Sequence, residues 1–456
     1  MTRPSILTEE NEASAAIPPF GNMILSRVEK YLASRGLTAP WTLTGPPRRD
    51  FSGAVVIPSL AESASLFFTL RSLAQNPGEF LSRYLVVVVV NHREDAPPSE
   101  KEDNLKTLEG LSKADPSMAG LQLAWVDAAS PGLELPAKTG GVGMARKIGF
   151  DLAIPRLNLK EDPRALISLD ADTLCRPDYL PSIEGHFRKA AAPGAVIPFC
   201  HQPGATVEED QAIRRYELFL RVYVLGLSRA GSPYAFHTVG SAMACTAEGY
   251  ARMGGMNHRG AGEDFYFLQH LAKTGGVSQV KGTVVYPSAR TSHRVPFGTG
   301  RSMTDLLSRK DGAVFFYRLE CFQILGDWLS LVEQSLGEEA ELLRRKARKI
   351  SAPLADFLEG NKFVSVWEKL RQNFRTPKNL SKGFHEWFDG LKTMKLIHHL
   401  SAGTYPRQNP EQAVLPLLRW AGPEPVEEIG PQLELLRRIQ IGEPYENKKA
   451  RNSLAF

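Results

Sequence analysis

Hydrophobic residues between positions 50 and 175 fall into two alternating kinds of run. The short, almost continuously apolar runs are 53–58, 84–90, 121–126 and 165–169. Apolar runs of this length are typical of strands buried on both faces of a parallel sheet. Between them, 62–74 and 142–154 repeat apolar residues at helical spacing. This alternation predicts an α/β fold built on a doubly wound, mostly parallel sheet.

The pattern continues less regularly after residue 172. Helical spacing predicts further helices at 22–35, 177–192, 208–227, 247–253 and 263–273. Apolar or small-residue runs predict strands at 194–200 and 238–246, and a strand pair or ribbon at 277–286. The charged segment 97–117 is predicted to be an insertion with a short helix.

The pattern changes again near residue 310, where strand-like runs end and helical periods take over. Two of these periods lie at 338–349 and 363–374. A chain of 456 residues is long enough for two domains. We therefore predict three parts: an N-terminal lead and helix (1–49), the α/β domain (50–310) and a helical C-terminal region (311–456).

Composition narrows the class of protein only modestly. The 55 basic and 50 acidic residues leave a net charge of +5, a mild excess that suits anionic small ligands or an anionic surface. The basic residues are dispersed and do not form a stripe with stacking aromatics, which argues against nucleic-acid binding. Four widely separated cysteines without a CxxC pair argue against a zinc ribbon or a disulfide scaffold and fit a reducing cytoplasm.

The sequence also predicts how the chain relates to membranes. Residues 1–20 contain acids and no long apolar core, unlike a signal peptide, and the longest apolar run, 85–90, is too short to span a bilayer. The basic run 344–349 is compatible with peripheral contact at the inner face of the membrane, although a solvated helix face is the favoured interpretation. We expect a cytoplasmic protein.

Two acids follow the apolar run 165–169. In open α/β sheets, ligands bind outside the carboxyl ends of the strands, and Asp170 and Asp172 come at such an end. Their hard oxygen atoms suit Mg²⁺ or Mn²⁺, which typically also takes oxygens from a diphosphate. The alternative is an ordinary turn in which Asp170 caps a helix and Asp172 is solvated.

Basic residues near glycines are the other candidates for anion binding. Arg146 follows the glycine-rich segment 140–143 at a predicted helix start, where phosphate binds well; the alternative is a surface ion pair. Arg294 and Arg301 belong to the glycine-containing loop 290–301, which would contact a diphosphate and close over it as a lid.

Five short segments, taken in order, resemble the family 2 glycosyltransferases of the GT-A fold, a Rossmann-like architecture. The resemblance covers roughly residues 50–300. Its segments are Val55-Val56-Ile57-Pro58 with Glu62, Gly143-Met144-Ala145-Arg146-Lys147-Ile148-Gly149, Leu169-Asp170-Ala171-Asp172, Gly240-Ser241-Ala242-Met243-Ala244 with Gly254-Gly255, and Gly262-Glu263-Asp264. Each segment alone is weak, but five in the family's order are specific.

The resemblance implies an inverting transferase that moves a sugar from a nucleoside-diphosphate sugar to an acceptor hydroxyl. Asp264 would be the catalytic base, and Mn²⁺ or Mg²⁺ would be held by Asp170, Asp172 and His293. The nucleotide-sugar would contact Pro58, Glu62, Asn91, Arg146, Asp170, Arg294 and Arg301. The acceptor, whether a carbohydrate, a lipid-linked or a small molecule, would contact Gly240, Ser241 and Glu263.

The sequence departs from the family pattern in two places. Asn91 and His92 stand where an acid commonly reads the nucleotide base, which leaves the base open, and Lys147 stands where Asn is usual. Two other functions stay open: a nucleotidyltransferase on a similar sheet, and a catalytically silent protein that binds nucleotide-sugars. Against the former, segment 58–62 lacks the glycine- and lysine-rich loop of that class.

Overall fold

A computed structural model describes residues 19–113, 115–257, 262–291, 299–308, 314–422 and 426–442. The strands within these ranges are β1 (Leu43–Thr44), β2 (Gly53–Ser59), β3 (Tyr84–Asn91), β4 (Gln122–Ala128), β5 (Ala165–Ser168), β6 (Leu174–Cys175), β7 (Gly194–Val196), β8 (Met243–Thr246), β9 (Val277–Gln279) and β10 (Val285–Tyr286).

The described helices fall into two groups along the chain. The first group is α1 (Pro19–Arg35), α2 (Leu66–Leu73), α3 (Gly78–Leu81), α4 (Pro98–Ser112), α5 (Val142–Ala153), α6 (Tyr179–Phe187), α7 (Val207–Arg229), α8 (Ala247–Met253), α9 (Glu263–Thr274) and α10 (Thr299–Ser308). The second group is α11 (Leu319–Gln334), α12 (Ala340–Ile350), α13 (Ala352–Gly360), α14 (Phe363–Asn373), α15 (Pro377–Trp387), α16 (Gly390–Ala402), α17 (Pro410–Ala421) and α18 (Ile429–Ile441).

Eight strands form one sheet in the order β1-β4-β3-β2-β5-β8-β7-β9. The central strands β4, β3, β2 and β5 are parallel, β8 is antiparallel to both its neighbours, and β9 is parallel to β7. The chain builds outward from β2 to β4 and then returns to the other side of β2 with β5. The predicted doubly wound, mostly parallel sheet is confirmed.

Side chains of the central strands alternate between two buried layers. In β2, Ala54 and Val56 pack on the side of α5, whereas Val55 and Ile57 pack on the side of α2 and α6. All seven residues of β2 and all eight of β3 are buried. Helices therefore cover both faces, which explains why these strands are continuously apolar in sequence.

The predicted helical C-terminal region is also present. Helices α11 to α18 enclose a core of their own around Trp328 and Trp367, and this core includes Leu218, Val222 and Leu227 of α7. The proposed boundary near residue 310 falls next to a segment outside the described residues and stays a prediction. Helix α7 is shared between the two parts of the molecule.

Several predicted elements have different limits or partners in the structure. The strands of 277–286 do not pair with each other: β9 joins the main sheet beside β7, and β10 pairs with β6 in a separate two-stranded sheet. The predicted strand 238–246 begins only at Met243, and the helix of 97–117 spans fifteen residues as α4. Strand β1 has no counterpart among the predicted elements, because two residues are too few to show a pattern.

Candidate active site

The candidate site lies at the point between β2 and β5 where the strand order reverses. Strand β2 has β3 on one side and β5 on the other, so the connections that follow β2 and β5 diverge and leave a crevice at their carboxyl ends. Glu62 follows β2 at this edge, and Asp170 and Asp172 follow β5. The fold therefore brings the predicted acids to the expected ligand-binding edge.

Asp172 and Glu62 share one guanidinium group. Arg290 donates from Nε to Oδ2 of Asp172 at 2.8 Å, and its Nη2 pairs with Glu62. The side chains of Glu62 and Asp172 are 8% and 23% exposed, and that of Arg290 is 34% exposed. The carboxyl ends of β2 and β5 are thus joined by an ion pair that is only partly open to solvent.

A second guanidinium, which is buried, joins Asp170 to Glu263 at the start of α9. Arg146, on α5, pairs with both Asp170 and Glu263 and donates from Nε to Oγ of Ser168 at 2.8 Å. Only 3% of its side chain is exposed. Because one guanidinium group contacts both acids, the Asp-x-Asp segment and the Glu263–Asp264 pair lie on either side of Arg146.

Gly240 lies directly against Arg146. A Cβ atom at this position would come within 2.5 Å of Nη2 of Arg146. The neighbouring Ser241 is buried with 1% of its surface exposed. The absence of a side chain at Gly240 therefore leaves the space that the guanidinium fills.

Asp264 is a partly buried carboxyl group with an unusual pKa. Its pKa is raised to about 7, chiefly by burial and also by the charge of Glu263, and Arg146 partly opposes the shift. The backbone N–H of Phe265 donates to its Oδ1 at 2.7 Å. A carboxyl group with a pKa near neutrality is suited to accept a proton at physiological pH.

Asp172 is shifted in the same direction. Its pKa is raised to about 6, chiefly by burial, with Glu62 and Asp170 acting in the same sense and Arg290 opposing the shift. Three carboxylates at one edge repel one another, and Arg290 and Arg146 offset this repulsion. Groups with strongly shifted pKa values cluster at functional sites.

The donor set fits a divalent cation bound partly by substrate. Among the described residues, no three His, Cys, Asp or Glu side chains are grouped to hold a metal ion. Asp170 and Asp172 supply two carboxylates one residue apart, and Mg²⁺ is commonly bound by one or two carboxylates together with substrate phosphates. The residues present therefore fit Mg²⁺ or Mn²⁺ bound together with a diphosphate.

The other predicted nucleotide-contacting residues surround this edge. Pro58 is the sixth residue of β2. Asn91 ends β3 and donates from Nδ2 to the carbonyl oxygen of Ser59 at 3.2 Å, next to His92, whose Nδ1 lies 3.0 Å from Nδ2 of Asn104. These contacts fix the loop after β2 against the end of β3.

Three candidate residues come from the predicted loop 290–301, and the structure describes one of them. Arg301 is on α10, where it pairs with Asp305 at 3.1 Å on an exposed surface. His293 and Arg294 lie outside the described residues. The contacts predicted for these three residues stay predictions.

Sequence reasoning did not single out Arg290 or Gln202. Gln202 donates from Nε2 to the backbone carbonyls of Asp172 at 2.9 Å and Tyr286 at 2.7 Å, and so holds the turn that carries Asp172. Arg290 stands three residues before His293 in a basic stretch of the sequence, and this proximity is its only signal there. Gln202 has none, since its partners are backbone atoms.

Lys147, the residue that departs from the family pattern, faces away from the site. It is buried and pairs with Asp151 at 2.8 Å, and Tyr31 and Tyr250 donate to the same aspartate. This cluster joins α1, α5 and α8.

No described helix is both long and apolar enough to cross a membrane.

No model of a known protein family matches this sequence, and a search of curated proteins found no match. Among solved structures, the chain is similar to S. aureus TarS, also solved with UDP and with UDP-GlcNAc. The sequences are 12% identical, and the similarity covers 87% of this chain and 93% of that one with a TM-score of 0.36.

Two further similar structures contain a metal ion. The mannosyltransferase PcManGT of Pyrobaculum calidifontis, in complex with GDP-Man and Mn²⁺, is 13% identical, with 93% of this chain and 95% of that one covered and a TM-score of 0.34. The glucosyl-3-phosphoglycerate synthase of Mycobacterium tuberculosis, with Mg²⁺ and UDP, is 14% identical, with 58% and 73% covered and a TM-score of 0.31. The similarities are distant, and the residues of the site carry the functional proposal.

Proposed function

We propose that this protein is a metal-dependent, inverting glycosyltransferase that moves a sugar from a nucleoside-diphosphate sugar to an acceptor hydroxyl. The observation that carries the proposal is the Arg146 bridge. It places the Asp-x-Asp segment, suited to a metal and a diphosphate, beside a carboxyl group whose pKa is near 7. A donor site and a proton acceptor are thus adjacent at the ligand-binding edge of the sheet.

The reaction assigns a role to each part of the site. Asp264 accepts the proton of the acceptor hydroxyl while the oxygen attacks the anomeric carbon. The bond from that carbon to the diphosphate oxygen breaks, and the nucleoside diphosphate leaves with the electron pair. A divalent cation held by Asp170 and Asp172 would neutralise the charge that develops on the departing diphosphate.

The supporting residues hold these groups in place. Glu263 accepts from Arg146 and so fixes the first turn of α9, from which Asp264 projects. Gly240 and Ser241 line the acceptor side in this proposal, and Pro58 and Asn91 line the nucleotide side. In keeping with the four buried, free cysteines, we place the enzyme in the cytoplasm.

The proposal is tested by the thermal stability of the protein in the presence of nucleotides. UDP, GDP, CDP and dTDP are each added with and without Mn²⁺ to the wild type, to Asp172→Ala and to Asp356→Ala, which changes an exposed acid on α13. A ligand that binds only the folded state at 100 times its Kd stabilises it by about 2.7 kcal/mol.

We expect one nucleotide to raise the melting temperature only with Mn²⁺, in the wild type and in Asp356→Ala but not in Asp172→Ala. That result would also identify the donor base. If no nucleotide gives a Mn²⁺-dependent shift, the glycosyltransferase proposal is wrong.

A further inference from the structure

Arg290 occupies a position that the proposed function leaves unexplained. Its Nε and Nη2 both lie 2.8 Å from Oδ2 of Asp172, the carboxylate assigned to the metal. The same Nη2 pairs with Glu62 after β2. A permanently charged group is therefore already bound to the acid that a divalent cation would use.

The position of Arg290 is set by the surrounding fold. Strand β10, which precedes it, pairs with β6, which begins two residues after Asp172. Ala289 is buried with Met303 and Leu306 of α10 and with Ile213 of α7. The backbone N–H of Arg290 also donates to Oγ of Ser288 at 3.2 Å. The backbone that leads into Arg290 is therefore anchored on β6, α7 and α10, while a third of its side chain stays exposed.

The geometry sets Arg290 and a metal ion in competition for Asp172. The Nε–H donates to Oδ2 and Nη2 lies equally close to it, while metal coordination needs the lone pairs of the same carboxylate. A divalent ion next to the guanidinium would also be repelled by its charge. A guanidinium matches phosphate oxygens as well as it matches a carboxylate, because its donors form a planar fork.

We propose that, without ligand, the guanidinium of Arg290 takes the place of the metal ion at Asp172. When the donor binds, the metal ion replaces the guanidinium there, and we call this replacement the exchange. Without ligand, Arg290 holds Asp172 to Glu62 and keeps the metal affinity low. When a metal and a nucleoside diphosphate bind together, the metal takes Asp172 and Arg290 passes to the diphosphate oxygens. This inference rests on the proposed function and adds that metal and nucleotide bind in a strongly coupled way.

The experiment measures Mn²⁺ binding directly, by titration calorimetry and by the electron paramagnetic resonance signal of free Mn²⁺. Mn²⁺ is titrated alone, with UDP and with GDP into the wild type, Arg290→Gln, Arg290→Lys and Asp172→Asn. Arg176→Gln is the matched control, because Arg176 pairs at 2.6 Å with Asp178, an acid to which no ligand is assigned, and its side chain is similarly exposed.

We expect Arg290→Gln to bind Mn²⁺ alone at least tenfold more tightly than the wild type, since Asp172 loses its competing cation. The same variant should bind the nucleotide at least tenfold more weakly in the presence of Mn²⁺. Arg290→Lys keeps the charge, so its affinity for Mn²⁺ alone stays within threefold of the wild type while nucleotide binding weakens. Arg176→Gln should change neither affinity.

The contrary results separate the two proposals. If Arg290→Gln binds Mn²⁺ alone no more tightly than the wild type, the exchange is wrong. The metal-dependent function still stands in that case, provided that Mn²⁺ binds the wild type together with a nucleotide. If Arg290→Gln does not fold, Arg290→Lys decides. A tenfold higher affinity of Arg290→Lys for Mn²⁺ alone overturns the exchange, and an affinity equal to that of the wild type supports it. If the wild type binds Mn²⁺ with neither UDP nor GDP, the metal-dependent function fails for these donors and the exchange fails with it.

Discussion

The acids of the site differ in what balances their charge. Asp172 and Asp170 each accept from an arginine. Asp264 accepts from a backbone N–H, lies beside the like charge of Glu263 and has a pKa raised to about 7. Two carboxylates matched by cations suit ligand binding, and one with a pKa near 7 suits proton transfer.

The first prediction at this scale concerns turnover. Asp264→Asn removes the group that accepts the proton but keeps its size, so we expect kcat to fall by about 10²- to 10⁴-fold. The affinity for the nucleotide should change little, because Asp264 is not assigned to the donor. Steady-state kinetics with calorimetry of nucleotide binding measures both, and Asp356→Asn on the surface of α13 is the control. Unchanged turnover in Asp264→Asn would remove Asp264 from the mechanism.

The second prediction concerns the pH dependence of stability. The folded-state pKa of Asp264 is raised to about 7, so the folded protein binds a proton that the unfolded chain releases between about pH 4 and 7. The stability contributed by Asp264 is present at low pH and is lost as the pH rises through about 7. Melting temperatures are measured at pH 5 and pH 8 in EDTA. Between pH 5 and pH 8, the melting temperature of the wild type should fall relative to that of Asp264→Asn. A constant difference would contradict the raised pKa.

At the scale of single elements, close contacts between α5 and the sheet fix the height of Arg146 above β5. Gly149 allows the approach: a Cβ atom there would lie 2.3 Å from Cγ1 of Val56 in β2 and 3.0 Å from Cγ2 of Val89 in β3. At Gly185 in α6, in contrast, a Cβ atom would meet no other atom within 4 Å.

The third prediction compares these two helical glycines. Gly149→Ala should destabilise the protein by about 1–3 kcal/mol, because the methyl group overpacks the contact with the sheet. Gly185→Ala should stabilise it by about 0.5–1 kcal/mol, because alanine restricts the unfolded chain and meets no clash. Denaturant unfolding measures both, and equal effects in the two variants would show that α5 is not tightly packed on the sheet.

Helix α18 is tied to the α/β part of the molecule through a buried carboxylate. Glu217 on α7 is fully buried and accepts from Arg437 at 2.7 and 2.8 Å, from Arg221 at 2.8 Å and from the backbone N–H of His201 at 2.9 Å. Burial alone would raise the pKa of Glu217, but these partners lower it well below its usual range. His201 precedes Gln202, which holds the turn of Asp172.

The fourth prediction tests this ion pair. Arg437→Ala leaves Glu217 with fewer partners, and removing one partner of a buried pair costs about 3–5 kcal/mol. Arg438→Ala, at the exposed next position of α18, should change stability by no more than about 0.5 kcal/mol. Chemical denaturation of both variants distinguishes them. If Arg437→Ala is as stable as Arg438→Ala, α18 is not a structural part of the core.

At the scale of the whole molecule, the C-terminal helices and the α/β part share α7. Leu218, Val222 and Leu227 of α7 belong to the core that α11 to α18 enclose. The same helix presents Ile213 to α10. The two parts are therefore expected to depend on each other for folding.

The fifth prediction is that a chain ending at residue 310 does not fold alone. Its α7 would expose three leucine or valine side chains, each worth roughly 1.5–3 kcal/mol when buried. We expect the shortened chain to lack a cooperative thermal transition and to aggregate, which calorimetry and size-exclusion chromatography would show. A monomeric fragment that melts cooperatively would establish 1–310 as an independent domain.

The sequence by itself determined the central sheet and the positions of its acids. Strands β2, β3 and β5 are continuously apolar because both faces are buried, so local pattern identified them to within a residue or two. Asp170 and Asp172 were singled out because they follow a predictable strand, and Asp264 mostly because Gly262-Glu263-Asp264 resembles a segment of the family. Elements of two residues, such as β1 and β6, left no pattern to predict.

Only the tertiary structure decided which groups neutralise those acids. Arg290 and Asp172, Arg146 and Glu263, and Arg437 and Glu217 are far apart in the chain, and their pairing depends on strand order and on how the helices pack. Charged residues have no periodicity that identifies a distant partner, so local sequence predicts a site's acids but not their cations. The raised pKa of Asp264 likewise arises from burial and neighbouring charge, which exist only after the chain has folded.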